Sequence, residues 1–130
     1  MDKKDIKILI IVDDVMLNKI YQTKLYMLGY NVISAFDGEE GLHKITTEIP
    51  NLILLDLMLP KKNGFEILEI VKQDIKVNHI PIIILSNLGQ EDDLKKGMEL
   101  GATDFLVKSN IKLESVVEKI ENLLQQRHIQ

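Results

Sequence analysis

The stretch NLILLD at residues 51–56 decides the fold, because it is an uninterrupted aliphatic run that ends in an acidic residue. Three other runs have the same form, KILIIV (7–12) before Asp13 and Asp14, PIIIL (81–85) before Ser86, and DFLV (104–107) before Lys108. Apolar runs without polar alternation are typical of strands buried on both faces of a parallel sheet. Sites in such sheets form outside the carboxyl ends of the strands. We therefore expect three carboxylates (Asp56 included), one hydroxyl and one ammonium to converge at one edge.

Between these runs the chain alternates predicted strands and helices in five βα units. Right-handed crossovers, with the first strand near the middle, give a five-stranded parallel sheet in the order 2-1-3-4-5. The fold class is therefore α/β, doubly wound. The predicted strands cover residues 7–12, 31–35, 52–55, 81–85 and 104–107. The predicted helices cover residues 15–28, 38–48, 65–72, 91–100 and 113–124. The apolar face predicted for the first helix consists of Leu17, Ile20, Tyr21, Leu25 and Leu28. The second helix has Asp37 as its predicted N-cap, and Glu40 completes a capping-box pattern.

Composition restricts the possible functions. A chain of 130 residues that is 45% hydrophobic predicts one domain, residues 1–130, with a core at about 7–124 and no output domain. The net charge of −4 argues against nucleic acid or an anionic membrane as the main partner. The absence of cysteine excludes disulfides and thiolate chemistry, and fits a cytoplasmic protein. We find no signal peptide and no apolar run long enough to span a membrane.

The predicted cluster of acids suits one kind of chemistry. Neighbouring carboxylates repel each other and raise each other's pKa unless a cation shares the site. Mg²⁺ takes one or two carboxylates, keeps several waters and accepts phosphate oxygens. Lys108 and Ser86 add a positive charge and a hydroxyl suited to a phosphoryl group. Asp56 stands alone at a strand end and is the better nucleophile for forming an aspartyl-phosphate, whereas Asp13 and Asp14 form a pair suited to the metal.

These residues together resemble a known family. The acid pair after the first strand, the lone acid in LLDLMLPKKNG (54–64), the serine ending IIILS (82–86) and the lysine in FLVKS (105–109) resemble the receiver domain of bacterial two-component response regulators, over about residues 7–124. The resemblance implies a flavodoxin-like (βα)5 fold. It also implies that Asp56 accepts a phosphoryl group from a histidine kinase or a histidine phosphotransfer protein, and that Mg²⁺ is held by Asp13, Asp14, Asp56 and the backbone carbonyl of Met58.

The resemblance also implies a switch. Lys108 contacts the phosphoryl group, Ser86 swings toward it, and Phe105 packs inward in response. Phosphorylation then changes the face formed by the fourth helix, the fifth strand and the fifth helix, where a downstream effector protein or a second copy of the chain binds. On this interpretation the chain is a stand-alone phosphoacceptor that assists its own phosphorylation, not a dedicated enzyme.

Two departures from the family pattern affect the expectations. Ser109 replaces the usual proline after Lys108, and a cis bond before a non-proline residue costs roughly 3–4 kcal/mol, which favours a trans bond here. Met58 and Leu88 lie two residues beyond Asp56 and Ser86, where neither apolar side chain can position an attacking water. We therefore predict slow self-dephosphorylation.

Three other functions are compared with the same residues. A receiver-like module that binds partners without phosphorylation is compatible with the fold, although every key position holds a chemically competent residue. A phosphatase of the haloacid dehalogenase type uses similar groups but needs a second acid two residues after the nucleophile, where Met58 stands. A flavodoxin-like cofactor protein needs a loop that cradles phosphate after the first strand, and the acids of VDDVML (12–17) would repel phosphate.

Overall fold

The computed structural model describes residues 2–87, 89–108 and 112–129, with side chains to residue 126. Across these residues every helix is too short or too polar to span a bilayer. A 3₁₀ turn at Lys3–Asp5, which the sequence pattern did not predict, precedes the first strand. The strands are β1 (Lys7–Ile11), β2 (Asn31–Ala35), β3 (Leu52–Asp56), β4 (Ile82–Ser86) and β5 (Asp104–Val107), and the helices are α1 (Val15–Met27), α2 (Gly38–Glu48), α3 (Gly64–Gln73), α4 (Glu91–Glu99) and α5 (Leu113–Ile129).

The strands form one parallel sheet in the order β2-β1-β3-β4-β5, which confirms the predicted α/β fold and its order. Ile11 pairs with Leu55, so the chain leaves β1 beside the end of β3. Ser86 pairs with Val107, so Lys108 follows directly beyond that pair. The carboxyl ends of β1, β3, β4 and β5 therefore meet at one edge, as the sequence predicted.

Each face of the sheet carries an aliphatic layer. Alternate strand residues such as Leu9, Ile53 and Ile84 pack with α2, α3 and α4, and their neighbours pack with α1 and α5. The buried residues of β1, β3 and β4 have no exposed surface or almost none, which confirms strands covered on both faces.

β3 and β4 each end one residue later than the sequence predicted. Asp56 and Ser86 are the last residues of β3 and β4 rather than the first loop residues, because each still pairs with the neighbouring strand, with Leu85 and Val107 respectively. Strand pairing therefore fixes the backbone of both polar residues. This rigid placement favours accurate positioning of a functional group.

Four of the five residues predicted for the buried face of α1 lie in or against the core, and only Ile20 does not. Ile20 is 46% exposed, whereas Asn18, Tyr21 and Leu25 form the buried stripe. These three residues recur at the i, i+3, i+7 spacing of one helix face. The prediction left out Asn18, because a polar residue is not expected on a buried face.

Capping at α2 is also slightly different from the predicted pattern. The carboxylate of Asp37 accepts from the Glu40 amide at 2.8 Å, as expected for the N-cap. The Glu40 carboxylate accepts instead from the amide of Phe36 at 2.7 Å, one residue before the cap. The reciprocal capping box occurs at α3, between Asn63 and Glu66.

Candidate functional site

The predicted site residues lie at the carboxyl edge of the sheet. Asp56 is fully buried at the end of β3, and Ser86 is 1% exposed at the end of β4. Lys108 follows β5, and its side chain is 21% exposed. Asp13 and Asp14 lie between β1 and α1 and are exposed. The sheet thus presents one buried acid with more accessible charged groups around it.

Both carboxylate oxygens of Asp56 have donors. The Lys108 ammonium lies 2.5 Å from Oδ2, and the Met58 amide donates to Oδ1 at 3.1 Å. A charge-assisted bond of this kind is stronger than a bond between neutral groups. The carboxylate is therefore held in one orientation by a side chain from beyond β5 and by the backbone that follows β3.

The pKa of Asp56 is raised above its usual value of 3.8, first because burial removes the carboxylate from water. The bond and charge of Lys108 and the amide of Met58 oppose this rise, while the negative charge of Asp13 adds to it. The Asp13 carboxylate is therefore close enough to repel Asp56. A cation placed beside both groups would relieve that repulsion.

The chemistry of this donor set fits a hard divalent cation. Mg²⁺ needs only one or two carboxylates and keeps several waters, and Asp13 and Asp56 supply two carboxylates. Asp14 instead caps α1, since its Oδ1 accepts from the Leu17 amide at 3.1 Å. Within the described ranges no three or more His, Cys, Asp or Glu side chains are grouped so as to hold a metal ion. Metal binding by Asp13, Asp14, Asp56 and the Met58 carbonyl stays a prediction.

The two predicted switch residues are placed differently. The Ser86 hydroxyl donates to the carbonyl oxygen of Asn87 at 3.4 Å, near the upper limit for such a bond. Phe105 is 41% exposed, although its aromatic side chain alone would favour a place in the core. It lies on β5, an edge strand with a neighbouring strand on one side only. The inward movement of Phe105 stays a prediction.

Two predictions involve residues that the structure does not describe. Ser109 lies outside the described residues, and so does the conformation of the Lys108–Ser109 bond. Leu88, two positions beyond Ser86, is likewise outside them. Its counterpart Met58 is described: the residue is 52% exposed, and its backbone amide donates to the Asp56 carboxylate.

Sequence reasoning missed one buried polar residue near the site. The Asn18 side-chain amide donates to the carbonyl oxygens of Val12 at 2.9 Å and Ala35 at 3.2 Å. Its oxygen accepts from Gln22 at 2.8 Å. Asn18 therefore ties α1 to the ends of β1 and β2. Its spacing of three residues before Tyr21 was the signal in the sequence.

Comparison with known proteins agrees with this geometry. The family model "Response regulator receiver domain" matches residues 8–121. The chain is 38% identical over 122 residues to a probable transcriptional regulator, ycf27, of Cyanophora paradoxa, with 89% of this chain and 50% of that protein covered. It thus spans about half the length of that relative.

Solved structures show the same similarity in three dimensions. A putative response regulator from Chloroflexus aurantiacus is similar with a TM-score of 0.86 and 29% identity, covering 92% of this chain and 97% of that one. The chemotaxis response regulator CheY4 of Vibrio cholerae is similar with a TM-score of 0.83 and 26% identity, covering 90% and 97%. With most of its length matched by the family model, this chain belongs to the response regulator receiver domain family.

Proposed function

We propose that this receiver domain accepts a phosphoryl group on Asp56 from a histidine kinase or a histidine phosphotransfer protein, in a reaction that requires Mg²⁺. The observation that carries the proposal is a fully buried aspartate at a strand end, paired with Lys108 and close to the charge of Asp13. Receiver domains interact with histidine kinases and downstream effectors, and they generally bind Mg²⁺ at the acidic pocket.

In the proposed reaction an oxygen of the Asp56 carboxylate attacks phosphorus, and the bond from phosphorus to the donor histidine nitrogen breaks. The electron pair of that bond stays on the imidazole. Burial leaves the carboxylate weakly solvated, which favours its action as a nucleophile. Mg²⁺, when held by Asp13 and Asp56, would neutralise charge on the phosphoryl oxygens.

The chain's own donors have separate tasks in this step. The Met58 amide holds Oδ1, so the carboxylate cannot rotate freely. Lys108 is bonded to Oδ2 before the reaction and can exchange that partner for a phosphoryl oxygen afterwards. The ammonium therefore compensates the negative charge of the Asp56 carboxylate before the reaction and that of the phosphoryl group after it.

The output of the switch is a change in protein binding. A phosphoryl group on Asp56 favours the arrangement in which Ser86 and Lys108 contact it, with Phe105 turned inward. The face of α4, β5 and α5 then binds a downstream effector or a second copy of the chain. The relative named a probable transcriptional regulator supports gene regulation as the class of output.

The test is intact-protein mass after incubation with Mg²⁺ and acetyl phosphate or phosphoramidate. One phosphoryl adduct should form on the wild type and not on Asp56→Asn. Asp92→Asn, which removes an exposed acid of α4, is the matched control and should be modified like the wild type. A folded wild type that takes no adduct from either donor contradicts the proposal and favours the phosphorylation-independent interaction module.

A further inference from the structure

The segment at residues 57–63, which we call the phosphoacceptor loop, joins Asp56 to α3 and rests on another helix. Its tip contacts the first turn of α2. The Gly38 amide donates to the Pro60 carbonyl oxygen at 3.1 Å. Beside it, the Lys61 ammonium lies 3.6 Å from Oδ2 of Asp37, the N-cap of α2. Two consecutive residues of one helix start therefore hold the tip.

This contact leaves no space for a side chain at position 38. A Cβ on Gly38 would lie 1.7 Å from the carbonyl oxygen of Lys62 and 2.5 Å from its carbonyl carbon. The atoms in its way belong to the backbone, so no rotation of a side chain relieves the overlap. Any other residue at position 38 must push the loop and α2 apart.

The tip of the loop is itself strained. Lys61 has a φ of +70°, and the Lys62 amide donates to the Pro60 carbonyl oxygen at 2.8 Å. This is a γ-turn of the rare, positive-φ form. Strained backbone of this kind costs on the order of 1–3 kcal/mol and persists only where its surroundings hold it. Asp37 and Gly38 contact this turn and can hold it in the strained conformation.

The other end of the loop is fixed independently by α3. The Gly64 amide donates to the Leu57 carbonyl oxygen at 2.9 Å, and the capping box of Asn63 and Glu66 starts the helix. Between the two anchors lies Met58, whose amide bonds Oδ1 of Asp56. A shift of the tip therefore moves backbone that orients the phosphoacceptor.

From these contacts we propose that the first turn of α2 positions the phosphoacceptor loop, with Gly38 and Asp37 as positioning residues for Met58 and Asp56. The purpose of this positioning rests on the function proposed above. The contact itself does not depend on that function. Loosening it should weaken the Met58–Asp56 bond and displace the Met58 carbonyl, the predicted metal ligand.

The test compares two substitutions in one helix. Gly38→Ala introduces a methyl group against the loop backbone, whereas Gly41→Ala introduces the same group against the side chain of Ile11 in the core, at 2.8 Å. For both variants we would measure the free energy of unfolding, hydrogen exchange at the Met58 amide, and the Kd for Mg²⁺ alone. Both should lose stability. Only Gly38→Ala should accelerate Met58 exchange and raise the Kd for Mg²⁺, by about tenfold.

Asp37→Asn is a second variant that keeps the helix cap, because asparagine caps as well as aspartate, but removes the charge facing Lys61. Exchange at the Lys62 amide, which closes the γ-turn, should rise roughly twofold to fivefold, as expected for an exposed ion pair. If Gly38→Ala does not fold, this variant tests whether the first turn of α2 holds the tip of the loop.

Equal effects of Gly38→Ala and Gly41→Ala on Met58 exchange would overturn the proposal. So would unchanged Lys62 exchange in Asp37→Asn when Gly38→Ala is unfolded. Hydrogen exchange requires no phosphorylation. A wild type that accepts no phosphoryl group, together with selective acceleration in Gly38→Ala, would therefore refute the proposed function and leave the positioning role in place.

Discussion

The ammonium of Lys108 lies 2.5 Å from Oδ2 of Asp56, and this pair joins the end of β3 to the residue after β5 across the intervening strand β4. Asp56 is fully buried, while the lysine side chain remains 21% exposed. The lysine therefore neutralises a charge that has no access to water. Under the function proposed above, the same contact would rearrange when Asp56 accepts a phosphoryl group.

Lys108→Met removes this cation and keeps an apolar side chain of similar length. We expect the free energy of unfolding at pH 7 to fall by about 2 kcal/mol, because a buried carboxylate loses its partner. The loss should shrink as the pH falls, since a protonated Asp56 needs no cation. Denaturant titrations between pH 4 and 8 measure this loss in the free energy of unfolding.

The control is Lys119→Met, which breaks the more exposed pair with Asp104 and should lower the free energy of unfolding by less than about 1 kcal/mol. Equal losses in both variants would contradict the expectation.

Asp56 itself should make the wild type less stable as the pH rises. Its pKa is raised in the folded protein, chiefly by burial, so the folded chain binds this proton more tightly than the unfolded chain. The stabilisation is complete below the usual value of 3.8 and is lost as the pH rises through the raised pKa. Asp56→Asn lacks this titration. Without divalent cations it should be more stable than the wild type at pH 7, by about 1–2 kcal/mol.

The measurement is the difference between the two unfolding curves as a function of pH. The lowered pKa of Asp37, due first to the Glu40 amide, has the opposite dependence, but it is present in both proteins and cancels. A difference that stays constant from pH 3 to 8 would show that Asp56 does not titrate differently on folding.

Ser86→Ala should separate phosphorylation from switching. The Ser86 hydroxyl makes one long bond, to Asn87, so its loss should reduce stability by less than about 1 kcal/mol. Phosphoryl uptake on Asp56 should stay near the wild-type level. The phosphorylation-dependent shift of the Phe105 amide resonance should shrink, because the phosphoryl group loses a contact made only in the active arrangement. A full shift in the variant would refute this role.

Ile49 ends α2 in the left-handed region, with φ of +46° and ψ of +67°, although it is β-branched. That conformation costs an ordinary residue roughly 1–2 kcal/mol, and glycine avoids the penalty. Since Ile49 is 48% exposed, Ile49→Gly should lose little packing and raise the free energy of unfolding by about 1 kcal/mol. Ile49→Ala keeps the strain and should give no such gain. Thermal unfolding of both variants checks the comparison.

The apolar runs of this chain predict its fold and the edge of the sheet where the site lies for a physical reason. Strands such as β3 have no polar residue until the chain reaches the edge of the sheet, so the run of apolar letters predicts both the strand and the end at which Asp56 lies. Parallel pairing then brings Lys108 to the same edge, and the contact between the two follows from topology.

The errors arise where exposure depends on tertiary packing. The sequence pattern of α1 does not show that Asn18 is buried and Ile20 is exposed, because Asn18 makes its hydrogen bonds inside the protein while Ile20 faces outward. Phe105 looks like a core residue by its chemistry, yet its strand is at the edge of the sheet. The close contact between Gly38 and the backbone of Lys62 joins segments that are distant in sequence, so no local sequence pattern predicts it.

The lifetime of the phosphoryl group should depend on Met58. Its side chain is 52% exposed and its amide bonds the Asp56 carboxylate, so position 58 borders the path of an attacking water. A thioether cannot orient that water, and we expect self-dephosphorylation slower than seconds. Met58→Asn supplies an amide that can, and should shorten the lifetime by roughly tenfold or more. Decay followed by intact-protein mass after removal of the donor provides the measurement, with Met27→Asn, at an exposed position on α1, as the control that should decay like the wild type. A wild-type lifetime of seconds, or equal decay in Met58→Asn and the control, would show that another group positions the water.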